Sequence, residues 1–94
     1  MVIARVTFPG PDQGGRQTPP CSGYHPQVAL GNEYTSCVLD SLDGEAVFAF
    51  GRAHRVSLRL LFRERHPDAF VVGRSLRFYE GSHLVGSGVV LEIT

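Results

Sequence analysis

Cys21 and His25 are the thiol and imidazole that stand closest together in this sequence, and a cysteine beside a base is the minimum that covalent catalysis needs. Pro20 and Pro26 bracket the pair, and no third group is placed to orient the imidazole. The segment therefore reads as a packed thiol beside a surface histidine, and no catalytic residue is assigned. The four histidines, His25, His54, His66 and His83, show none of the HxxxH or CxxC spacings of metal ligands. Asp40, Asp43 and Glu45 gather around Gly44, but the twelve-residue pattern of a calcium loop is missing, which leaves a solvated turn. Nothing in the sequence calls for a cofactor.

What the polar residues do offer is charge. The nine basic residues are all arginine and balance nine acids to zero net charge, which argues against a strong nonspecific nucleic-acid binder. The charges are segregated all the same: residues 52–77 hold seven arginines against Glu64 and Asp68, an excess mirrored by a deficit elsewhere, so one face is expected to be basic. Residues 55–63 carry the clearest alternation. Val56, Leu58, Leu60 and Phe62 point one way, while Arg55, Ser57, Arg59, Leu61 and Arg63 point the other. On a strand, side chains on one face stand about 6.5 to 7 Å apart, so Arg55, Arg59 and Arg63 are expected to form an exposed row.

The elements that must hold these residues read as strands. Val2, Ala4, Val6 and Phe8 alternate with Ile3, Arg5 and Thr7, and Pro9-Gly10-Pro11-Asp12 ends the run. Further strands are expected over 24–30, 35–39, 46–50, 55–63, 76–79 and 84–94, with turns at Gly31-Asn32, at Asp40 to Gly44 and at Glu80-Gly81-Ser82-His83. An irregular connection with Pro67 inside it is expected from 65 to 73. Gly86 and Gly88, inside the last strand, predict a bend or close backbone packing of the kind barrel closure demands. At 94 residues the chain is expected to be one domain, 1–94, with a single β core. A hydrophobic fraction of 43%, 11 glycines and 6 prolines suit many short strands and tight turns. No apolar run approaches 18 residues and no secretory leader is recognisable, so a cytoplasmic protein with free thiols is expected.

The strands are hung around the loop Gly14-Gly15-Arg16-Gln17-Thr18-Pro19-Pro20-Cys21-Ser22-Gly23-Tyr24-His25-Pro26-Gln27. Pro19, Pro20 and Pro26 fix φ and remove three backbone donors, so the loop cannot be helical, and it presents Arg16, Thr18, Tyr24, His25 and Gln27. Together with Glu80-Gly81-Ser82-His83-Leu84-Val85-Gly86-Ser87-Gly88-Val89-Val90, it resembles the C-terminal (third) β-barrel domain of translation elongation factor Tu, whose signatures run roughly GGRxTPxxxGYRPQ and REGGRTVGAGVV. The likeness covers nearly the whole chain, including the stretch from His66-Pro67 to Val90 and Thr35. The phosphate loop GxxxxGK[ST] is absent, so no GTP binding by this chain is expected, and the domain is expected to stand alone.

The resemblance implies an all-β fold, a closed antiparallel barrel of about six strands, acting as a non-enzymatic binding module. In the family this domain touches the T stem of tRNA with residues that match Gln27, Thr35, His66, Glu80 and Gly81 here. Gln, Thr and backbone amides donate to phosphate and ribose oxygens, and a glutamate accepts from a 2′-hydroxyl. Yet His25 and His83-Leu84 stand where the family has Arg and Arg-Thr, and Arg77 replaces a small residue that the family packs toward its GTPase domain. Two fixed positive charges have become imidazoles, so phosphate affinity is expected to fall. The expected role is therefore protein–protein interaction in a translation-related context, with a translation factor as the kind of partner. Binding of a tRNA-like stem is the alternative, and no membrane is involved. The surface expected to carry either role comprises Arg16, His25, Gln27, Thr35, Arg55, Arg59, Arg63, His66, Glu80 and Gly81.

Overall fold

The computed structural model describes residues 1–66 and 68–94; Pro67, expected inside the long connection, lies outside them. The chain forms six strands: β1 (Val2–Thr7), β2 (Gln27–Leu30), β3 (Glu33–Ser41), β4 (Ala53–Leu60), β5 (Ser75–Glu80) and β6 (His83–Ile93). They close into a barrel in the order β1-β4-β3-β2-β5-β6, antiparallel at every seam. Among the described residues the helices are two single 3₁₀ turns, Pro11–Gln13 and Arg63–Arg65, and no helix is long and apolar enough to cross a membrane.

On β1 and β4 the inward faces are those that alternation predicts, as far as Leu60. Ala4, Val6, Val28, Val56, Leu58, Leu76, Phe78, Val85 and Val90 all join one buried cluster. Closure brings β6 very near β1: a Cβ on Gly88 would sit 2.4 Å from the Arg5 carbonyl oxygen, and one on Gly86 2.7 Å from the Phe8 ring. Both positions need the missing side chain, because the obstacle at Gly88 is backbone. The two-residue hairpins at Gly31-Asn32 and Gly81-Ser82 each place a glycine at φ 62°, while among the described residues no other residue type has positive φ. That is the glycine-first pattern of a II′ turn, whose twist matches the flanking strands.

Two expected features differ. Residues 46–50 are not a strand: Cys21 bridges Val47, the Phe48 amide donates to the Pro20 carbonyl, and Ala46, Val47 and Ala49 stay exposed while Phe48 is buried. A closed six-stranded barrel has no free edge to accept a further strand. The strand over 55–63 also stops early, at Leu60, and the chain turns into Arg63–Arg65. Phe62 therefore leaves the core and is 46% exposed, and Arg63 leaves the row.

The loop over 8–26 and the segment over 42–52 close one end of the barrel. Phe8 stacks on Phe48 at 5.6 Å, and Tyr24 meets Phe8 edge-on at 5.9 Å. His54, at 1% exposure, donates from Nε2 to the Ala49 carbonyl at 2.8 Å, and its Nδ1 lies 3.0 Å from Glu45. The prolines keep their acceptors in use: Pro20 takes Phe48 N–H and Pro26 takes Cys37 N–H. The opposite end lies under residues 61–66 and 68–74.

Candidate functional site

β2 and β3 run side by side from Gln27↔Ser36 to Leu30↔Glu33, and β5 flanks β2 through Gln27↔Tyr79. Side chains at this seam, together with the turn after β4, enclose a recess of about 520 Å³ lined by Gln27, Glu33, Tyr34, Thr35, Ser36, Phe62, Arg65 and His66. Three of the residues expected at a binding surface, Gln27, Thr35 and His66, thus share one concavity.

Their availability is unequal. Thr35 pairs with core residue Val28 and is 7% exposed, so it offers little to a partner. His66 Nε2 lies 3.8 Å from the Glu33 carboxylate, which puts a negative charge inside the recess. Tyr34, 56% exposed, packs its ring edge-on against Tyr79 at 5.0 Å, while Arg65 lies over the Phe62 ring at 5.4 Å. These contacts hold two aromatic rings in place at the rim.

Glu80 and Gly81 form the hairpin one step beyond Tyr79, so they adjoin the recess at Gln27 without lining it. Glu80 is already occupied: Tyr24 donates its hydroxyl to it, and Arg16 lies 3.1 Å away while also covering the Tyr24 ring at 4.9 Å. Partial burial and the neighbouring carboxylate push the Tyr24 hydroxyl pKa well above its ordinary value. His83 donates to the Gly14 carbonyl and pins the organising loop to this hairpin.

The remaining expected residues lie elsewhere. His25 is exposed on the loop over 8–26. Arg55 and Arg59 are exposed on the outer face of β4. Arg63 joins Arg59 and His66 around a second cleft of about 680 Å³ at the open end, floored by Leu58, Leu60 and Phe70. Both cysteines are free: Cys21 is exposed rather than packed, and Cys37 is buried, with its thiol pKa pushed up to about 12 by desolvation. Among the described residues no hydrogen bond joins Cys21 to His25, and no three metal-ligating side chains cluster.

Tyr34, Phe62, Arg65 and Glu33 escape sequence reasoning. Phe62 continues the apolar alternation of β4 and reads as core, and only the early end of that strand turns it out. Tyr34 carried a signal, a large aromatic directly after a turn, that periodicity alone does not rank. No known protein-family model matches the chain.

Proposed function

We propose that this chain is a non-enzymatic module that docks a protein partner through the recess around Gln27 and His66. One observation carries the reading: two half-exposed aromatic rings, Tyr34 and Phe62, stand with Arg65 around a concave surface. Tyr, Phe and Arg are the residue types enriched at protein interfaces, and rings held by neighbours lose little entropy on docking. The translation-related context rests on the loop and hairpin motifs of the sequence, which resemble the third domain of elongation factor Tu.

A tRNA-like stem is the second reading, favoured by the meeting of Gln27 with His66 in one recess. Against it, Glu33 places a carboxylate where phosphates would lie, and Glu80 is engaged by Arg16 and Tyr24. A photo-crosslinking residue at Tyr34, with a control at exposed Leu84, tests both in the source cell. The expected adduct is a translation-related protein, resistant to ribonuclease, absent at the control and reduced at least tenfold by Phe62→Ala. A ribonuclease-sensitive tRNA adduct at Tyr34 would reverse the ranking.

A further inference from the structure

The register of β1 with β4 sets Arg5 directly opposite Arg55, and both side chains are exposed. This pair lies away from the recess: β1 and β2 are three strands apart around the barrel, and Arg55 lies at the Ser41 end of the β3–β4 pairing, while the recess adjoins the Leu60 end. Directly opposed residues have Cβ atoms about 5 Å apart, and like charges there are destabilising. No carboxylate relieves them: among the described residues the ion pairs involve Arg16, Arg52, His54 and His66, not Arg5 or Arg55.

The surroundings are chemically consistent. Ser57 follows Arg55 on the outer face of β4, with Arg59 beyond it, about 13 Å along the strand from Arg55. Thr7 follows Arg5 on β1 and is level with Ser87 on β6, which in turn faces Arg77 on β5. Val89 links Arg5 to Ser75 in the same way. Two guanidinium groups thus sit amid four small hydroxyl side chains, with a further arginine at each margin. Two acids stand diagonally to the pair by register, Asp40 opposite Ser57 and Glu92 opposite Ile3, and neither forms an ion pair with Arg5 or Arg55 among the described residues.

We propose that the Arg5 and Arg55 pair is a binding site for a phosphate monoester borne on a phosphorylated segment of a protein partner. Two guanidinium groups carried on directly opposed, exposed positions call for a ligand with nearly two charges and several acceptor oxygens. A phosphomonoester supplies about −1.5 to −2 at neutral pH, where a nucleic-acid phosphodiester supplies one. Binding also removes the repulsion that the unliganded pair carries. Thr7 and Ser57 donate hydroxyls to the remaining oxygens, and Arg59 and Arg77 take acidic residues flanking the modified one. The outward faces of β1 and β4 carry no aromatic ring, so this wall lacks the stacking platform of a single-strand binder.

The test is fluorescence anisotropy with a labelled peptide holding one phosphoserine between two glutamates, beside its unmodified twin and a short RNA duplex. The phosphopeptide is expected to bind at least tenfold tighter than the twin, and Arg5→Gln or Arg55→Gln to erase that difference. Both variants are expected to melt no lower than the parent, since each removes a like-charge contact. Phe62→Ala must leave phosphopeptide binding unchanged, which separates this face from the recess. Equal binding of the two peptides, or tighter binding of the duplex, would overturn the proposal. So would amide shifts in the parent protein that centre on Tyr34 and Phe62 instead of Arg5, Thr7, Arg55 and Ser57.

Discussion

The two ends of the barrel solve the same closure problem in opposite ways. At one end Phe8, Phe48 and His54 are almost fully buried, and the polar atoms of His54 have partners on both ring nitrogens. At the other end Leu61, Phe62, Val71 and Val72 are all more than 40% exposed, and both clefts draw lining residues from this connection. Apolar side chains occur at both ends, so their presence alone does not distinguish them. The difference is whether backbone and side-chain partners exist to bury them. The first end has a proline-rich loop whose carbonyls accept from Phe48 and Cys37, while the second has a turn that begins where β4 loses its neighbour. Burial is concentrated at the closed end, and exposed apolar surface at the open one.

That contrast can be broken most directly at Phe48. Phe48→Ala removes a fully buried ring stacked on Phe8 and touching His54, and is expected to cost about 3 to 5 kcal/mol, read as a fall in the denaturation midpoint. A cost below 1 kcal/mol would mean that the segment over 42–52 is an ornament, not a plug.

A middle-sized effect comes from pH. Tyr24 and Cys37 both have pKa values raised by burial, above ordinary values of 10.0 and 9.0. The unfolded chain therefore releases these protons first, and between about pH 9 and 12 it binds fewer than the folded chain. Their stabilising contribution is complete below pH 9 and declines as pH climbs. Thermal midpoints measured from pH 8 to 11 are expected to fall, less steeply in Cys37→Ala, and a flat profile would contradict the assignment. At pH 8 one thiol, Cys21, should react in native protein and both in denaturant.

The smallest expected effect sharpens the comparison. Phe62→Ala, at the open end, should change stability by no more than about 0.5 kcal/mol, although the ring is as large as that of Phe48. A loss approaching that of Phe48→Ala would make the rim structural and remove the chief support for a docking recess there.

Much of the fold was legible in residue order. Period-two alternation located β1 and β4, because a strand with one face in a core must repeat every two residues. Gly31 and Gly81 marked their hairpins by a φ that other residues avoid, and Gly86 and Gly88 announced close packing before their neighbour β1 was known. Tertiary structure alone decided the rest. Residues 46–50 have the apolar makeup of a strand, but a strand also needs an edge to pair with, and closure left none. Phe62 and Arg63 fit the rhythm of β4, but the rhythm cannot say where pairing with β3 ends. The candidate surface divided for the same reason: Gln27 and His66 meet across 39 residues of sequence, while Arg55 faces Arg5 across fifty. Such meetings depend on strand order and register, which are properties of the closed sheet and of no single segment.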